Sequence, residues 1–107
     1  MTKLFEPIPG SGVQLGADTT SDTVALGGNS PGGEFQVSVF NTSTSVDVFV
    51  DFGTSAITTT ATTGHPVPFG QVRGFTLSNP DKTPITHMAA ITSTSTATVH
   101  VNRGHGI

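Results

Sequence analysis

The 107-residue chain contains no cysteine, tryptophan or tyrosine, and only 10% of its residues are charged. Without cysteine, neither a disulfide framework nor a thiolate metal site can form. Average globular proteins have roughly 25% charged residues, so charge is scarce here. Uninterrupted apolar runs last only a few residues, whereas a membrane-spanning helix needs about 20. We therefore expect neither membrane association nor metal binding through thiolates.

Basic residues are few and scattered, since Lys3, Arg73, Lys82 and Arg103 are the only ones. Nucleic-acid binding requires a cluster of such residues to neutralise several phosphates. We therefore expect no nucleic-acid partner. The first residues contain neither the apolar stretch nor the small-residue cleavage site of a signal peptide, which leads us to expect synthesis in a cytoplasm.

Hydroxyl residues dominate the composition instead, with 19 threonines and 10 serines. In residues 94–101 they are interleaved with Ala97, Val99 and Val101. Such alternation of β-branched hydroxyl and apolar residues predicts a strand with one buried and one solvated face. The solvated face carries hydroxyls in place of the usual lysine and glutamate.

Residues 1–33 differ from the rest, because they contain seven glycines and three prolines. Glycine and proline at that density interrupt regular elements. We expect an extended N-terminal arm over 1–33, with short strands at 13–15 and 23–26 at most. The β-sandwich domain is expected to comprise residues 34–107.

Alternating apolar and polar residues become regular after this segment. Two alternating runs around the polar turn 41–45 predict a β-hairpin. The prolines of residues 64–70 exclude a central strand there, and residues 103–107 are too rich in glycine to continue a strand. Strands are predicted at residues 35–39, 46–52, 56–61 (a weak edge strand), 71–77, 85–92 and 96–102.

No segment shows the 3.6-residue periodicity of an amphipathic helix. Six to eight short strands separated by turn residues are typical of a β-sandwich or small barrel. The sequence therefore predicts an all-β, single antiparallel β-sandwich. Jelly-roll and immunoglobulin-like Greek-key connectivity both remain open.

Catalytic and metal-binding patterns are weak. The four histidines, at 65, 87, 100 and 105, lack the convergent spacing of a zinc site. Asp47 and Asp51 lie on one strand face about 13 Å apart, which does not suit paired glycosidase carboxylates. We expect no enzymatic activity, no cofactor and no small-molecule substrate.

Carbohydrate binding would normally use flat aromatic platforms, and phenylalanine is the only aromatic residue type that could supply one here. Phe49 and Phe69 are the candidates, but phenylalanine has no polar group to suit a wet interface. We expect instead that Phe49, on the outward face of its strand, packs beneath the arm or against another subunit.

The distribution of charge favours assembly. No Lys, Arg, Asp or Glu occurs in residues 52–72 or 83–102. Monomeric β proteins usually protect strand edges with lysine, inward charges or proline. A neutral hydroxyl face can be buried against protein without the desolvation cost of ionised groups. We therefore expect a second protein surface to cover these strands.

Four segments carry a family resemblance: Val48-Phe49-Val50-Asp51-Phe52-Gly53, His65-Pro66-Val67-Pro68-Phe69-Gly70, residues 88–92 and residues 97–107. Together they resemble small β-rich virion proteins of tailed bacteriophages. The resemblance covers residues 35–107 and not the arm. It implies a location in the virion, capsid decoration or cement activity, and trimers as a common assembly. Its motifs are strand and turn patterns, so no functional residue is carried over.

The sequence thus leads us to expect a capsid decoration or cement subunit that stabilises the head shell, with the major capsid protein or itself as partner in a homo-oligomer. The alternatives are a tail- or fibre-associated glycan-binding module and a neck or connector subunit. The residues expected to contact the partner are Leu4, Phe5, Ile8, Val13, Leu15, Phe49 and Phe69.

Overall fold

The computed structural model describes residues 6–7, 12–26, 35–77 and 85–105. Within these ranges the chain forms β-strands and connections, with no helix. The all-β prediction is therefore confirmed. The strands are β1 Glu6–Pro7, β2 Val13–Ala17, β3 Asp22–Ala25, β4 Phe35–Asn41, β5 Val48–Gly53, β6 His65–Val67, β7 Val72–Leu77, β8 His87–Thr92 and β9 Ala97–His105.

Two antiparallel sheets pack face to face. Sheet A has the order β2-β9-β4-β7, and β1 also pairs with β9, beyond β2 on the same edge. Sheet B has the order β3-β8-β5-β6. The predicted antiparallel β-sandwich is confirmed.

The connectivity is that of a jelly roll. From β2 to β9, every connection except the one between β5 and β6 passes from one sheet to the other. Immunoglobulin-like sandwiches instead join several neighbouring strands within a sheet. Eight alternating strands in two four-stranded sheets are the double Greek key of the jelly roll. The topology thus resolves the alternative that the sequence left open.

Valine fills most of the core between the sheets. Inward-facing residues alternate with outward ones along β4, β5 and β9, as period 2 requires. Phe52 of sheet B and Phe75 of sheet A meet across the core with ring centroids 5.2 Å apart. The fully buried valines are Val37, Val39, Val48, Val50, Val67, Val99 and Val101.

The predicted hairpin between residues 35–39 and 46–52 is wrong, although both strands exist. β4 pairs with β7 and β9, and β5 pairs with β6 and β8. The polar segment between them crosses from sheet A to sheet B. Asn41 fixes that crossing, because its fully buried amide donates to the carbonyls of Val46 at 2.8 Å and Val67 at 2.9 Å.

Two further strand predictions differ from the structure. Residues 56–61 form no strand, and belong to the long connection between β5 and β6. β9 continues to His105, so the glycine at position 104 did not end it. Arg103, opposite Val37, is consequently buried with 1% exposure, and this desolvation lowers the pKa of its guanidinium below the ordinary value.

Residues 12–26 belong to the sandwich and are not part of an arm outside it. β2 pairs with β9 over five residues, and β3 pairs with β8 over four. Ala17 and Leu26 are buried in the core. The predicted division at residue 33 therefore does not mark the start of the sandwich.

Candidate interaction surface

The outer face of sheet A is uncharged among the described residues and largely open, although Gln36 at one end of it is buried. In β4 and β9, the side chains on this face belong to the residues that alternate with the buried valines. In β2 and β7, they belong to the residues that are paired with those positions. None of them is Lys, Arg, Asp or Glu. We call this set the open face; it comprises Gln14, Gly16, Ser38, Phe40, Val72, Gly74, Thr76, Thr98, His100 and Asn102.

Two large apolar side chains lie together on the open face. Phe40 of β4 is paired with Val72 of β7, and they are 40% and 59% exposed. Exposed apolar residues that occur singly need no explanation, whereas contiguous ones mark interaction sites. This pair is therefore the strongest candidate for a contact point.

A polar cluster lies beside this pair. His100 of β9 is the neighbour of Phe40 on the other side, with ring centroids 6.5 Å apart. The Gln14 side-chain amide on β2 lies 3.1 Å from His100 Nε2, within hydrogen-bonding distance. Gln14, His100, Phe40 and Val72 thus form one row across the four strands of the open face.

The outer face of sheet B is covered over β5 by the chain itself, whereas Thr23 and Ala25 of β3 remain exposed. The connection between β5 and β6 folds back over β5, and the backbone at Gly64 lies so close to Phe49 that an added Cβ would be 2.9 Å from the Phe49 Cβ. Ile57 packs equally closely on Gly53. Thr59 is buried, and its N–H donates to Ser21 Oγ at 3.0 Å.

Phe49 therefore packs against the β5–β6 connection, and its contact with the arm or with a partner stays a prediction. Its side chain is only partly exposed. Local alternation placed it correctly on the outward face, but could not show that a segment eleven residues long would fold over it. The covering of β5 leaves sheet A as the more open side of the sandwich.

The other predicted contact residues divide into three groups. Val13 and Leu15 are partly buried and pack against the core, and a partner contact through them stays a prediction. Phe69 is 48% exposed in the β6–β7 turn, and its N–H donates to Asp47 Oδ1 at 3.0 Å. Leu4, Phe5 and Ile8 lie outside the described residues.

Phe40 and Val72 were missed in the sequence. The signal was present, since Phe40 has the same parity as the polar residues Gln36 and Ser38, and Val72 has parity opposite to the inward Phe75. An apolar residue on the polar side of an alternating strand was noticed at Phe49 only. These two positions are the ones that tertiary structure leaves uncovered.

A polar cleft of about 450 Å³ lies at the end of the sandwich where β2 ends and β9 begins. It contains hydroxyls, backbone and one carboxylate, but no aromatic ring. The residues that line it are Gly16, Ala17, Asp18, Thr42, Ser43, Thr44, Thr96, Ala97 and Thr98.

Asp18, at this cleft, interacts with Asp22 at the start of β3. Repulsion from Asp18 raises the pKa of Asp22 above its ordinary value, with smaller contributions from desolvation and from a hydrogen bond to Asp18. Asp18 also accepts a hydrogen bond from the Thr20 N–H at 2.9 Å. The pair is an acidic turn at the rim of the cleft.

The structure brings together no metal-ligating group among the described residues. No three of the His, Asp and Glu side chains in those ranges converge. His65 lies against the ring of Phe75, and His87 hydrogen-bonds to Thr86 Oγ1 at 2.8 Å. The described part of the chain contains no helix that could span a membrane.

Comparisons with known proteins give no relative. No protein-family model matches the chain. No curated protein and no solved structure matches it either.

Proposed function

We propose that this chain is a structural subunit of a bacteriophage virion, a decoration or cement protein that binds the head shell through the open face. The observation that carries the proposal is the contrast between the two outer faces. In sheet B, β5 is covered by the chain's own β5–β6 connection, whereas sheet A presents an uncharged surface with Phe40 and Val72 exposed at neighbouring positions.

The physical argument concerns desolvation. Burying a charged surface is costly unless each charge is paired, and burying hydroxyls and amides costs much less when hydrogen bonds replace water. The open face contains threonine, serine, asparagine and glutamine but no formal charge. It therefore suits a large contact with another neutral protein surface.

The jelly-roll fold and the resemblance to small phage virion proteins together favour a capsid as the partner. Jelly rolls occur in viral capsid proteins, but also in lectins and cupins, and a fold alone does not define a function. The similarity of residues 35–107 to small phage virion proteins favours the capsid among these. A subunit that binds only the assembled shell stabilises that shell by mass action.

Capsids that lack the protein provide the test. Purified protein is mixed with such capsids, and co-sedimentation and the temperature of shell disruption are measured. We expect the protein to co-sediment and to raise the disruption temperature. A protein that does neither is not a cement subunit.

Matched variants locate the contact. Val72→Lys places a charge on the open face, and Thr58→Lys places the same charge on the exposed part of the β5–β6 connection. We expect Val72→Lys to weaken capsid binding by about tenfold or more, because an unpaired charge would be desolvated. Binding that is lost in Thr58→Lys but kept in Val72→Lys would assign the contact to the other side of the sandwich.

The cleft at Asp18 favours a second candidate, a tail-associated module that binds glycan. Its hydroxyls and carboxylate could bond to sugar hydroxyls, but the lining contains no aromatic platform. Binding on a glycan array without capsid binding would support this alternative. Loss of that binding in Asp18→Ala would assign it to the cleft.

A further inference from the structure

Strand β7 is an exposed edge of sheet A. In the part of the chain that the structure describes, it pairs with β4 on one side and with no strand on the other. Val72, Arg73, Gly74 and Thr76 are all exposed. An exposed edge presents unpaired N–H and C=O groups that can pair with another chain.

The other edges of the two sheets are protected. β6 has three residues and contains Pro66. Along the edge formed by β1 and β2, the register with β9 changes between the pairs Pro7–Gly104 and Val13–Val101, and β1 has only two residues and includes a proline. β3 has four residues and begins with Asp22. Short strands, prolines, bulges and charges are the usual devices against edge pairing.

β7 has fewer such devices. It is six residues long, its pairing with β4 is unbroken, and it contains neither proline nor lysine. Its one device of this kind is Arg73, a charge with the parity of the inward residues. The edge is available for strand addition, a common mode of protein recognition.

The hydrogen-bonding pattern shows which residues face outward. Asn41 N–H donates to the Gln71 carbonyl at 3.0 Å. In an antiparallel pair the bonded positions alternate, so Arg73 and Phe75 bond to β4. The backbone groups of Val72, Gly74 and Thr76 then point away from the sheet.

We propose that β7 pairs with β7 of a second copy of this chain, antiparallel, about a two-fold axis at Gly74. The three outward residues are spaced symmetrically around Gly74, so this register pairs every outward group. Gly74 lies opposite the partner's Gly74, and Val72 lies opposite the partner's Thr76. A two-fold interface uses the same surface on both copies, which a single strand edge satisfies.

Two features of the sequence of β7 fit this register. Glycine inside a strand weakens it and often marks the close approach of another backbone. Arg73 lies opposite the partner's Phe75, and not opposite the partner's Arg73, so like charges do not face each other. A guanidinium beside an aromatic ring is attractive.

The dimer would have one continuous sheet of eight strand positions. Because the axis is perpendicular to the sheet, both open faces lie on the same side, and the two Phe40–Val72 pairs form part of one neutral surface. The inference goes beyond the proposed function and does not depend on it. It is tested on the purified chain, without capsids.

Sedimentation equilibrium measures the dimer directly. Thr76→Pro removes one outward N–H, and Thr76→Lys adds an edge lysine. We expect either change to raise the dimer dissociation constant by about tenfold or more, since edge pairing depends on these groups. Thr98→Lys, on β9 of the same face, is the matched control and should change it by no more than about twofold. Thermal unfolding checks that each variant is folded.

Single cysteines test the register, because the natural chain has none. Paired Cα atoms of bonded antiparallel residues are about 5.5 Å apart, so Gly74→Cys should be cross-linked by oxidation or by a one-methylene thiol reagent. In Thr76→Cys the Cα atoms of the two cysteines would be about 14 Å apart, so the cysteines should remain free. A wild-type chain that is monomeric at several hundred micromolar, or a dimer unaffected by Thr76→Pro and Thr76→Lys, overturns the proposal. So does cross-linking of Thr76→Cys in preference to Gly74→Cys.

Discussion

The side-chain amide of Asn41, at the end of β4 in sheet A, donates a hydrogen bond to the main-chain carbonyl of Val67 in sheet B, at 2.9 Å. The same amide donates to Val46, and its oxygen accepts from the Ser43 N–H at 3.0 Å. One buried side chain therefore joins the two sheets and shapes the connection between β4 and β5. The main-chain carbonyls of Val46 and Val67 both accept a hydrogen bond from this side chain.

Replacing Asn41 with alanine should destabilise the fold strongly. Each buried group that loses its partner costs about 1–3 kcal/mol, so we expect a loss of about 3 kcal/mol or more in the free energy of unfolding. Thr42→Ala removes a single exposed hydrogen bond to Thr98 and should cost about 1 kcal/mol or less. Urea denaturation of both variants tests this. Similar values for the two would contradict a special role for Asn41.

Gly64→Ala should loosen the cover over sheet B. Its Cβ would lie 2.7 Å from Thr59 Oγ1 and 2.9 Å from the Phe49 Cβ. Overpacking of this kind costs about 1–3 kcal/mol, and we expect faster amide exchange in the β5–β6 connection. Gly16→Ala is the control, because nothing lies within 4 Å of its added Cβ. Equal stability of the two variants would show that the connection adjusts freely.

Val39→Ala and Val72→Ala separate the core from the open face. Val39 and Val72 lie on the neighbouring strands β4 and β7, but Val39 is fully buried and Val72 is 59% exposed. Removing buried methyl groups leaves a cavity, so we expect Val39→Ala to cost about 2–3 kcal/mol. Val72→Ala should change stability by less than about 0.5 kcal/mol. Calorimetry or denaturant unfolding gives both values, and a comparable loss in Val72→Ala would place that side chain in the core.

The acidic turn at the cleft should be sensitive to pH. Because Asp18 raises the pKa of Asp22, the folded state binds a proton more readily than the unfolded state at pH values between the ordinary and the raised pKa. Stability from this pair therefore increases as pH falls through the raised pKa, and decreases as pH rises. Asp22→Asn should remove this part of the pH dependence.

An NMR titration tests directly whether Asp18 is the cause of the raised pKa of Asp22. In Asp18→Asn the repulsion is absent, so the carboxyl of Asp22 should titrate closer to its ordinary pKa, and added salt should have a similar but smaller effect in the wild type. Thr23→Ala, which changes no charge, is the control. A pKa of Asp22 that is the same with and without Asp18 would contradict the assignment.

Local sequence predicted the strands well because their signal is local. Alternation alone assigned Ala97, Val99 and Val101 to the buried face of their strand, and all three are buried. Glycine and proline misled the prediction in two places. Residues 12–26 are strands of the sandwich because their partners β8 and β9 stabilise them, and β9 passes through Gly104 because β4 pairs with it.

The candidate surface was harder to predict than the strands. Phe40 and Phe49 have the same local pattern, each an aromatic residue on the polar side of an alternating strand. Phe49 is covered by the connection around Gly64, whereas Phe40 remains 40% exposed. Gly64, which lies against Phe49, is 15 residues further along the chain, so the local pattern does not show which of the two is covered.

The sequence by itself determined that the chain forms strands with one apolar side, and that much of its other side is neutral, since both follow from residue type and period 2. Tertiary structure decided which strands pair, which neutral face is covered and which edge remains open. Those outcomes depend on contacts between residues far apart in the chain, such as Asn41 with Val67 and Gly64 with Phe49. Alternation fixes the direction of a side chain, but only the packed fold determines what lies against it.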